Sequence, residues 1–184
     1  MKKDLLVIGF IILLIAVVAK GTKIQSVDEY YLTHIDEITE NSRVVTLSIR
    51  CGTILDNYDK LDPNLKDEKY VPADGIIIPE TKYVLRDGDT VFDILDRATR
   101  HNKIQTEYQA ARLNSYGSVY VRGINYLYEF SCGDLSGWMY SVNGVFPNYG
   151  CSKYVLEDND VIEWVYTCDL GRDVGCTWLE GEQK

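Results

Sequence analysis

Residues Gly137–Thr167 read GWMYSVNGVFPNYGCSKYVLEDNDVIEWVYT, and this stretch is the most informative about the fold. It begins and ends with runs rich in aromatic and β-branched side chains, Trp138–Val142 and Val161–Thr167, which predict two strands of one sheet. Between the strands we expect a turn, an aromatic loop, a short strand at Tyr154–Leu156 and a tight turn at Asp158-Asn159. Little sequence is left over, so the hairpin is predicted to be compact.

The rest of the chain adds one confident helix and several short strands. Thr90 followed by Asp93 predicts a helix N-cap, and the apolar residues that follow predict a helix through His101. Val44–Cys51 alternates and is β-branched, which indicates a strand. Helical turns are expected near Ile54–Leu65. The other predicted strands or extended segments are Gly75–Pro79, Thr81–Leu85, Gln105–Gln109, Ser118–Arg122 and Tyr126–Phe130.

A short motif occurs twice in the chain. Lys82–Asp89 reads KYVLRDGD and Lys153–Asp160 reads KYVLEDND, each a predicted strand end followed by a turn. Gly88 and Asn159 occupy the positions most suited to a positive φ. Because a helix follows the first copy and a strand the second, we interpret the repeat as one turn chemistry used twice, not as a duplicated domain.

The N-terminus predicts a membrane signal. Two lysines precede the apolar run Leu5–Ala19, which Lys20 ends. The run is short for a bilayer span and suits a signal peptide or an uncleaved signal anchor, with the anchor slightly favoured. The expected organisation is a signal segment at residues 1–23, an acidic juxtamembrane linker at 24–43, a folded domain at 44–174 and a tail at 175–184. The folded domain is expected outside the membrane, anchored or secreted.

Composition and motifs argue against several functional classes. The formal net charge is -9 and no basic block is present, so a nucleic-acid partner is not expected. The usual catalytic motifs are absent, which predicts that the chain is not an enzyme. Five cysteines without a CxxC pair and two histidines argue against a zinc site. The acidic residues between 56 and 68 lack the glycine and distal glutamate of an EF-hand, so a solvated loop is favoured over calcium.

The cysteines leave two interpretations open. Exported chains form disulfides, and Cys132 and Cys151 bracket the hairpin, which suggests that they pair. In the alternative, all five cysteines are reduced and packed as small apolar groups.

Aromatic residues are the compositional anomaly. The 3 Trp, 14 Tyr and 4 Phe residues are concentrated in the second half of the chain. Trp138 and Tyr140 are two apart in a strand and share one face, while the loop that follows offers aromatic and amide groups at an edge. Aromatic walls with a few polar groups are typical of small-ligand pockets, although cross-strand packing without a ligand explains the strand residues equally well. The predicted ligand-binding residues are Trp138, Tyr140, Asn143, Phe146, Asn148 and Tyr149.

Several of these motifs resemble a known family. The segments DGDTVFDIL from Asp87, GWMYSVNG from Gly137, NYG from Asn148 and DNDVIEW from Asp158 are similar to the transcobalamin-like C-terminal domain family, in its bacterial branch of exported proteins of unknown function. The resemblance implies an α+β, β-grasp-like fold, in which a mixed sheet packs on one main helix. It also implies central, adjacent first and last strands, which makes Cys51–Cys168 a rival disulfide pairing. Relatives of this family bind cobalamin, so a corrinoid is a candidate ligand.

The sequence therefore predicts an exported, membrane-anchored, non-enzymatic binding module. Its expected ligand is a small molecule, a corrinoid among the candidates, held by the aromatic hairpin. The alternative is a cell-envelope domain that binds a protein or a glycan and takes no small molecule.

Overall fold

The computed structural model describes residues 26, 29–30 and 35–176. Within these residues, seven strands form, with bounds β1 Val44–Arg50, β2 Ile76–Val84, β3 Thr106–Gln109, β4 Tyr120–Ile124, β5 Leu127–Tyr128, β6 Gly137–Val142 and β7 Val161–Thr167. The α-helices within residues 35–176 are a single turn, α1 Thr53–Asp56, and the main helix, α2 Val91–His101. Short 3₁₀ turns lie at Pro63–Leu65, Ala111–Leu113 and Arg172–Val174. The predicted α+β class is confirmed.

Two sheets form instead of the single predicted one. The larger sheet has the order β2-β1-β7-β6, and the smaller has the order β3-β4-β5. β1 and β7 run parallel at the centre of the larger sheet, while its outer pairs are antiparallel. The first and last strands are therefore adjacent, as the family resemblance implied. β6 is left as an edge strand of the larger sheet.

Helix α2 packs against the larger sheet to form the main core. Its apolar face places Val91, Ile94, Leu95 and Ala98 against strand residues such as Leu47 and Ile162. The predicted N-cap is confirmed, because the Thr90 hydroxyl accepts a hydrogen bond from the Asp93 backbone N–H and the Asp93 carboxylate accepts one from the Thr90 N–H. A second cluster of buried residues forms around Cys51, Ile54, Leu61, Leu127 and Tyr166.

Two strand predictions are wrong in detail. Gly75–Pro79 and Thr81–Leu85 are predicted as separate segments, but Ile76–Val84 forms one strand, β2, which contains Pro79. The sheet accommodates this proline because β2 is an edge strand, and a proline on an edge costs no ladder hydrogen bond. The predicted strand at Tyr154–Leu156 does not form. This segment makes only an isolated bridge, between Val155 and Thr90.

The acidic linker is partly docked on the domain. Asp36 accepts hydrogen bonds from Arg86 Nε at 2.9 Å and Arg97 Nη1 at 3.2 Å. Arg97 is buried on helix α2 and also pairs with Asp89. The linker at 24–43 is therefore in contact with the folded domain at Asp36.

The predicted signal segment at 1–23 and the tail from residue 177 onwards lie outside the described residues. Among the residues that the structure describes, no helix is long and apolar enough to cross a bilayer.

Candidate functional site: an aromatic cavity at the edge of the larger sheet

One cavity of about 540 Å³ lies along β6. Its walls come from β4 and the residues before it, from the segment that leads into β6, and from the loop at 147–151. It falls within the size range of small-ligand pockets, roughly 300–1,000 Å³. The sheet order explains the position, because β6 has no further strand on its outer side.

The floor of the cavity is made of aromatic residues from the two neighbouring strands β6 and β7. Tyr140 and Trp164 are directly opposite each other in the antiparallel pair, and their ring centroids lie 5.5 Å apart. Trp138 packs edge-on against Tyr166 at 5.3 Å, and its indole N–H donates to the Leu127 carbonyl at 2.7 Å. Alternation along the strands puts these rings on one face, and the hydrogen bond holds Trp138 in place.

The loop at 147–151 is held rigidly against this floor. The Tyr140 hydroxyl donates to the Tyr149 carbonyl at 2.7 Å, and the Tyr149 ring stacks on Tyr154 with centroids 5.6 Å apart. Gly150 lies so close to Ser118 that a Cβ at position 150 would come within 2.0 Å of the Ser118 hydroxyl oxygen. Only glycine allows this close approach, so the loop that carries Tyr149 has little freedom to move.

Exposed apolar side chains surround the opening. Phe130 is 64% exposed and Tyr149 is 53% exposed. The rim also contains four further exposed apolar residues, namely Tyr116, Tyr120, Leu135 and Leu170. Phe130 has a φ of 69°, which is unfavourable for a bulky residue. Strained residues of this kind cluster at ligand-binding positions.

The charged groups of the wall are acidic. Glu129 accepts hydrogen bonds from the Tyr120 hydroxyl at 2.7 Å and from Arg122 Nε at 3.2 Å. Asp134 makes no hydrogen bond or ion pair with any residue that the structure describes. No lysine, arginine or histidine lines the cavity. The wall is therefore apolar with a negative bias.

Burial changes the acidity of two tyrosines in the wall. Desolvation, assisted by the neighbouring Glu129 carboxylate, raises the pKa of Tyr120 to about 12. Desolvation also raises the pKa of Tyr140, beyond the range in which it would ionise. Both hydroxyls therefore remain neutral hydrogen-bond donors at physiological pH.

The structure brings four of the six predicted residues to the cavity. Trp138, Tyr140, Asn148 and Tyr149 form part of its wall. Asn143 does not: it is the hairpin turn residue, with a φ of 53°, and its amide bonds Asp160 and the Val161 N–H. Phe146 also lies outside the wall. Ligand binding by the four wall residues stays a prediction.

Sequence reasoning missed most of the rim and one residue of the floor. Tyr116, Tyr120 and Phe130 belong to the same aromatic concentration as the predicted residues, so composition offered a signal for them. Trp164 was visible as an aromatic residue on an alternating strand. Leu135, Leu170 and Asp134 carry no comparable local signal, since only the folded chain places them beside β6.

The predicted disulfides do not form. All five cysteines are free and buried, and this structure matches the alternative interpretation. Cys132 and Cys151 lie in different core clusters, and no disulfide joins them. Cys51 and Cys168 share the second cluster as unbonded thiols. Burial raises the pKa of Cys51, Cys151 and Cys168 to about 12, which disfavours the thiolate form at neutral pH.

Within residues 35–176, which include the acidic loop at 56–68, no group of three or more histidine, cysteine, aspartate or glutamate side chains is arranged to hold a metal ion.

A family match covers the region of the cavity. Residues 88–168 match the model of a domain of unknown function (DUF4430). This range runs from the turn before α2 to the end of β7 and contains most of the cavity wall. No curated protein sequence matches the chain.

Two solved structures show a distant likeness. The structure of haptocorrin in complex with Cbi aligns at 13% identity over 73% of this chain and 27% of that chain, with a TM-score of 0.46. A candidate metal-binding protein from Ruminococcus gnavus ATCC 29149 aligns at 12% identity over 68% of this chain and 96% of that chain, with a TM-score of 0.40. The chain thus spans about a quarter of the haptocorrin chain. The expected transcobalamin-like fold is supported only as a coarse likeness, and neither neighbour's ligand is carried over.

Proposed function

We propose that this chain is a binding module that holds a small, largely apolar ligand in the aromatic cavity beside β6. The observation that carries the proposal is the ring of exposed apolar side chains around a single cavity with a buried aromatic floor. Exposed apolar groups on a soluble domain are normally scattered, and a contiguous set marks a binding surface.

A corrinoid is one candidate for this ligand, on the strength of the sequence resemblance. The exposed apolar rim offers a surface for one face of a flat macrocycle, and Asn148 supplies a polar group at the opening. The macrocycle is larger than the cavity, so the domain would cover only part of it. No histidine lines the wall, so the cavity offers the cobalt no imidazole ligand.

The cellular setting is part of the proposal. The apolar run at residues 5–19 supports a single membrane anchor with the domain on the outer side. Mass spectrometry of the exported protein tests this proposal. An intact N-terminus supports the anchor, whereas a mature chain that begins near Lys20 indicates a cleaved signal and a secreted domain.

Ligand binding is tested by titrating the full-length chain with Nile red as a neutral apolar probe, and separately with cobalamin and cobinamide. Trp138 and Trp164 line the cavity, so occupation should change the tryptophan fluorescence. Replacing an aromatic anchor typically costs more than 1 kcal/mol of binding free energy. Tyr149→Ala should therefore weaken Nile red binding about tenfold.

Tyr58→Ala is the matched control. Tyr58 is also an exposed tyrosine, but it lies away from the cavity and contacts Lys66. Equal effects of the two variants, or no binding of any probe, would contradict the proposed function. Nile red binding without any response to cobalamin or cobinamide would exclude only a corrinoid as the ligand and would leave the proposed function standing.

A further inference from the structure

The wall of the cavity contains an open strand edge. At the turn end of the β6–β7 pair, the Asn143 N–H donates to the Val161 carbonyl at 2.8 Å. Backbone hydrogen bonds alternate along an antiparallel pair, so the odd-numbered residues of β6 bond β7. The even-numbered residues of β6 therefore direct their backbone N–H and C=O groups away from β7. At one end of this edge, the Ser136 carbonyl accepts from Phe130 N–H at 2.9 Å. At the other end, Val142 N–H donates to the Val145 carbonyl at 2.9 Å.

Two residues between these ends have no backbone partner on that side. Within the described part of the chain, no turn or loop residue bonds the backbone N–H and C=O groups of Trp138 and Tyr140, and β7 is the only strand paired with β6. Tyr140 is only 8% exposed. Backbone polar groups in such surroundings are almost always paired, so this gap in the ladder marks a place where a partner belongs.

We propose that the ligand of the cavity is an extended peptide segment that adds to β6 as a strand. The inference rests on the proposed function, since it names the class of ligand for the same cavity. Trp138 and Tyr140 lie two residues apart, so their outward groups repeat at about 7 Å. An extended peptide presents alternate N–H and C=O groups with this spacing, and strand addition at a free edge is a common mode of peptide recognition.

The side chains beside the edge suit the two faces of an added strand. On one face of the sheet, the side chains of Trp138 and Tyr140 form an aromatic surface together with that of Trp164. On the other face, Met139 lies near the loop that carries Leu170. Both faces are apolar, so alternate side chains of the peptide would each meet an apolar surface.

Charge selects among the possible occupants. The wall carries Glu129 and the unpartnered Asp134 and no basic residue, which favours a peptide that contains lysine or arginine. A second copy of this chain is disfavoured, because both copies would carry a net charge of -9.

The test begins with a display library of random seven-residue peptides selected on the full-length chain. Peptides that are enriched are then synthesised with a single N-methyl group placed at each position in turn. N-methylation removes a backbone donor, so it should weaken binding about tenfold or more at alternate residues and leave the intervening residues unaffected. On binding, hydrogen exchange should slow at the amides of Trp138 and Tyr140, with little change at Met139, which already bonds β7.

Three results would overturn the peptide assignment. The first is failure to enrich any peptide, and the second is an N-methyl scan without alternation. The third is self-association of the chain that protects the same two amides, which would make a second copy the occupant. If Nile red still binds and responds to Tyr149→Ala in these cases, the proposed function stands; if neither Nile red nor any peptide binds, both fail.

Discussion

At the scale of single residues, two residues with positive φ angles have different roles, one in the hairpin turn and one at the cavity rim. Asn143 and Phe130 both adopt this conformation, with φ values of 53° and 69°. Asn143 compensates with two side-chain hydrogen bonds at the hairpin turn. Phe130 projects its ring into solvent at the cavity rim and makes no comparable contact there. We infer that the strain at Phe130 serves the cavity and not the fold.

This inference predicts opposite effects of one substitution on stability and on binding. Phe130→Gly should raise the free energy of unfolding by roughly 0.5–1 kcal/mol, because relief of left-handed strain exceeds the added chain entropy. The same variant should bind Nile red more weakly. Urea unfolding and the fluorescence titration measure the two effects.

Asn143→Gly is the control for this prediction. Glycine also removes the strain at position 143, but the two hydrogen bonds of the amide are lost, so no gain in stability is expected. A loss of stability in Phe130→Gly would show instead that the ring supports the fold.

At the scale of elements, local sequence was a good guide wherever a side chain bonds its own backbone neighbours. In both copies of the repeated motif, the final aspartate carboxylate accepts from the backbone N–H three residues earlier: Asp89 from Arg86 at 2.9 Å and Asp160 from Glu157 at 2.8 Å. Gly88 and Asn159 have the predicted positive φ values. The interpretation of one turn chemistry used twice is confirmed.

The N-cap of helix α2 can be tested in the same terms. Thr90→Ala removes the hydroxyl that accepts from Asp93 N–H and should lower the free energy of unfolding by about 1 kcal/mol. Thr90→Ser keeps a capping hydroxyl and should stay close to the wild type. Chemical denaturation followed by circular dichroism measures both variants. Equal losses in the two variants would show that packing of the threonine methyl group, and not the cap, is what matters.

At the scale of the whole molecule, a charge network connects the acidic linker to the helix. Asp36 in the linker bonds Arg86 and the buried Arg97, and Arg97 also pairs with Asp89. The hydrogen bond from Arg86 is the main reason that the pKa of Asp36 is lowered. The start of the domain is therefore tied to helix α2, which limits how freely the cavity can turn relative to the linker.

Breaking this tie should have a defined pH dependence. Asp36→Asn should cost about 1 kcal/mol of stability at neutral pH. Because the pKa of Asp36 is lower in the folded chain than in the unfolded chain, its contribution is present above the ordinary carboxyl pKa and is lost as the pH falls through the folded value. The melting temperatures of Asp36→Asn and the wild type should therefore converge as the pH falls from 7 to 3.

Asp169→Asn is the matched control for the network. Asp169 also pairs with an arginine, Arg172, but both side chains are exposed. Solvent screens such pairs, and no measurable change in stability is expected. A constant difference between Asp36→Asn and the wild type at every pH would argue that the loss comes from packing and not from charge.

The sequence by itself determined the turns, the capped helix and the strands β1, β6 and β7, because hydrogen bonds to near neighbours and side-chain alternation operate within a few residues. It also indicated four aromatic or amide residues of the cavity wall. Only the tertiary structure decided that Gly75–Pro79 and Thr81–Leu85 join in one strand, β2, that Cys132 and Cys151 lie in separate clusters and that Phe130, Asp134 and Leu170 meet beside β6. These outcomes depend on which strand becomes an edge and which distant segments pack against it, and burial and sheet order are properties of the whole chain. The free backbone edge at Trp138 and Tyr140 was likewise decided by the tertiary structure, since a strand has a free side only once all its neighbours are placed.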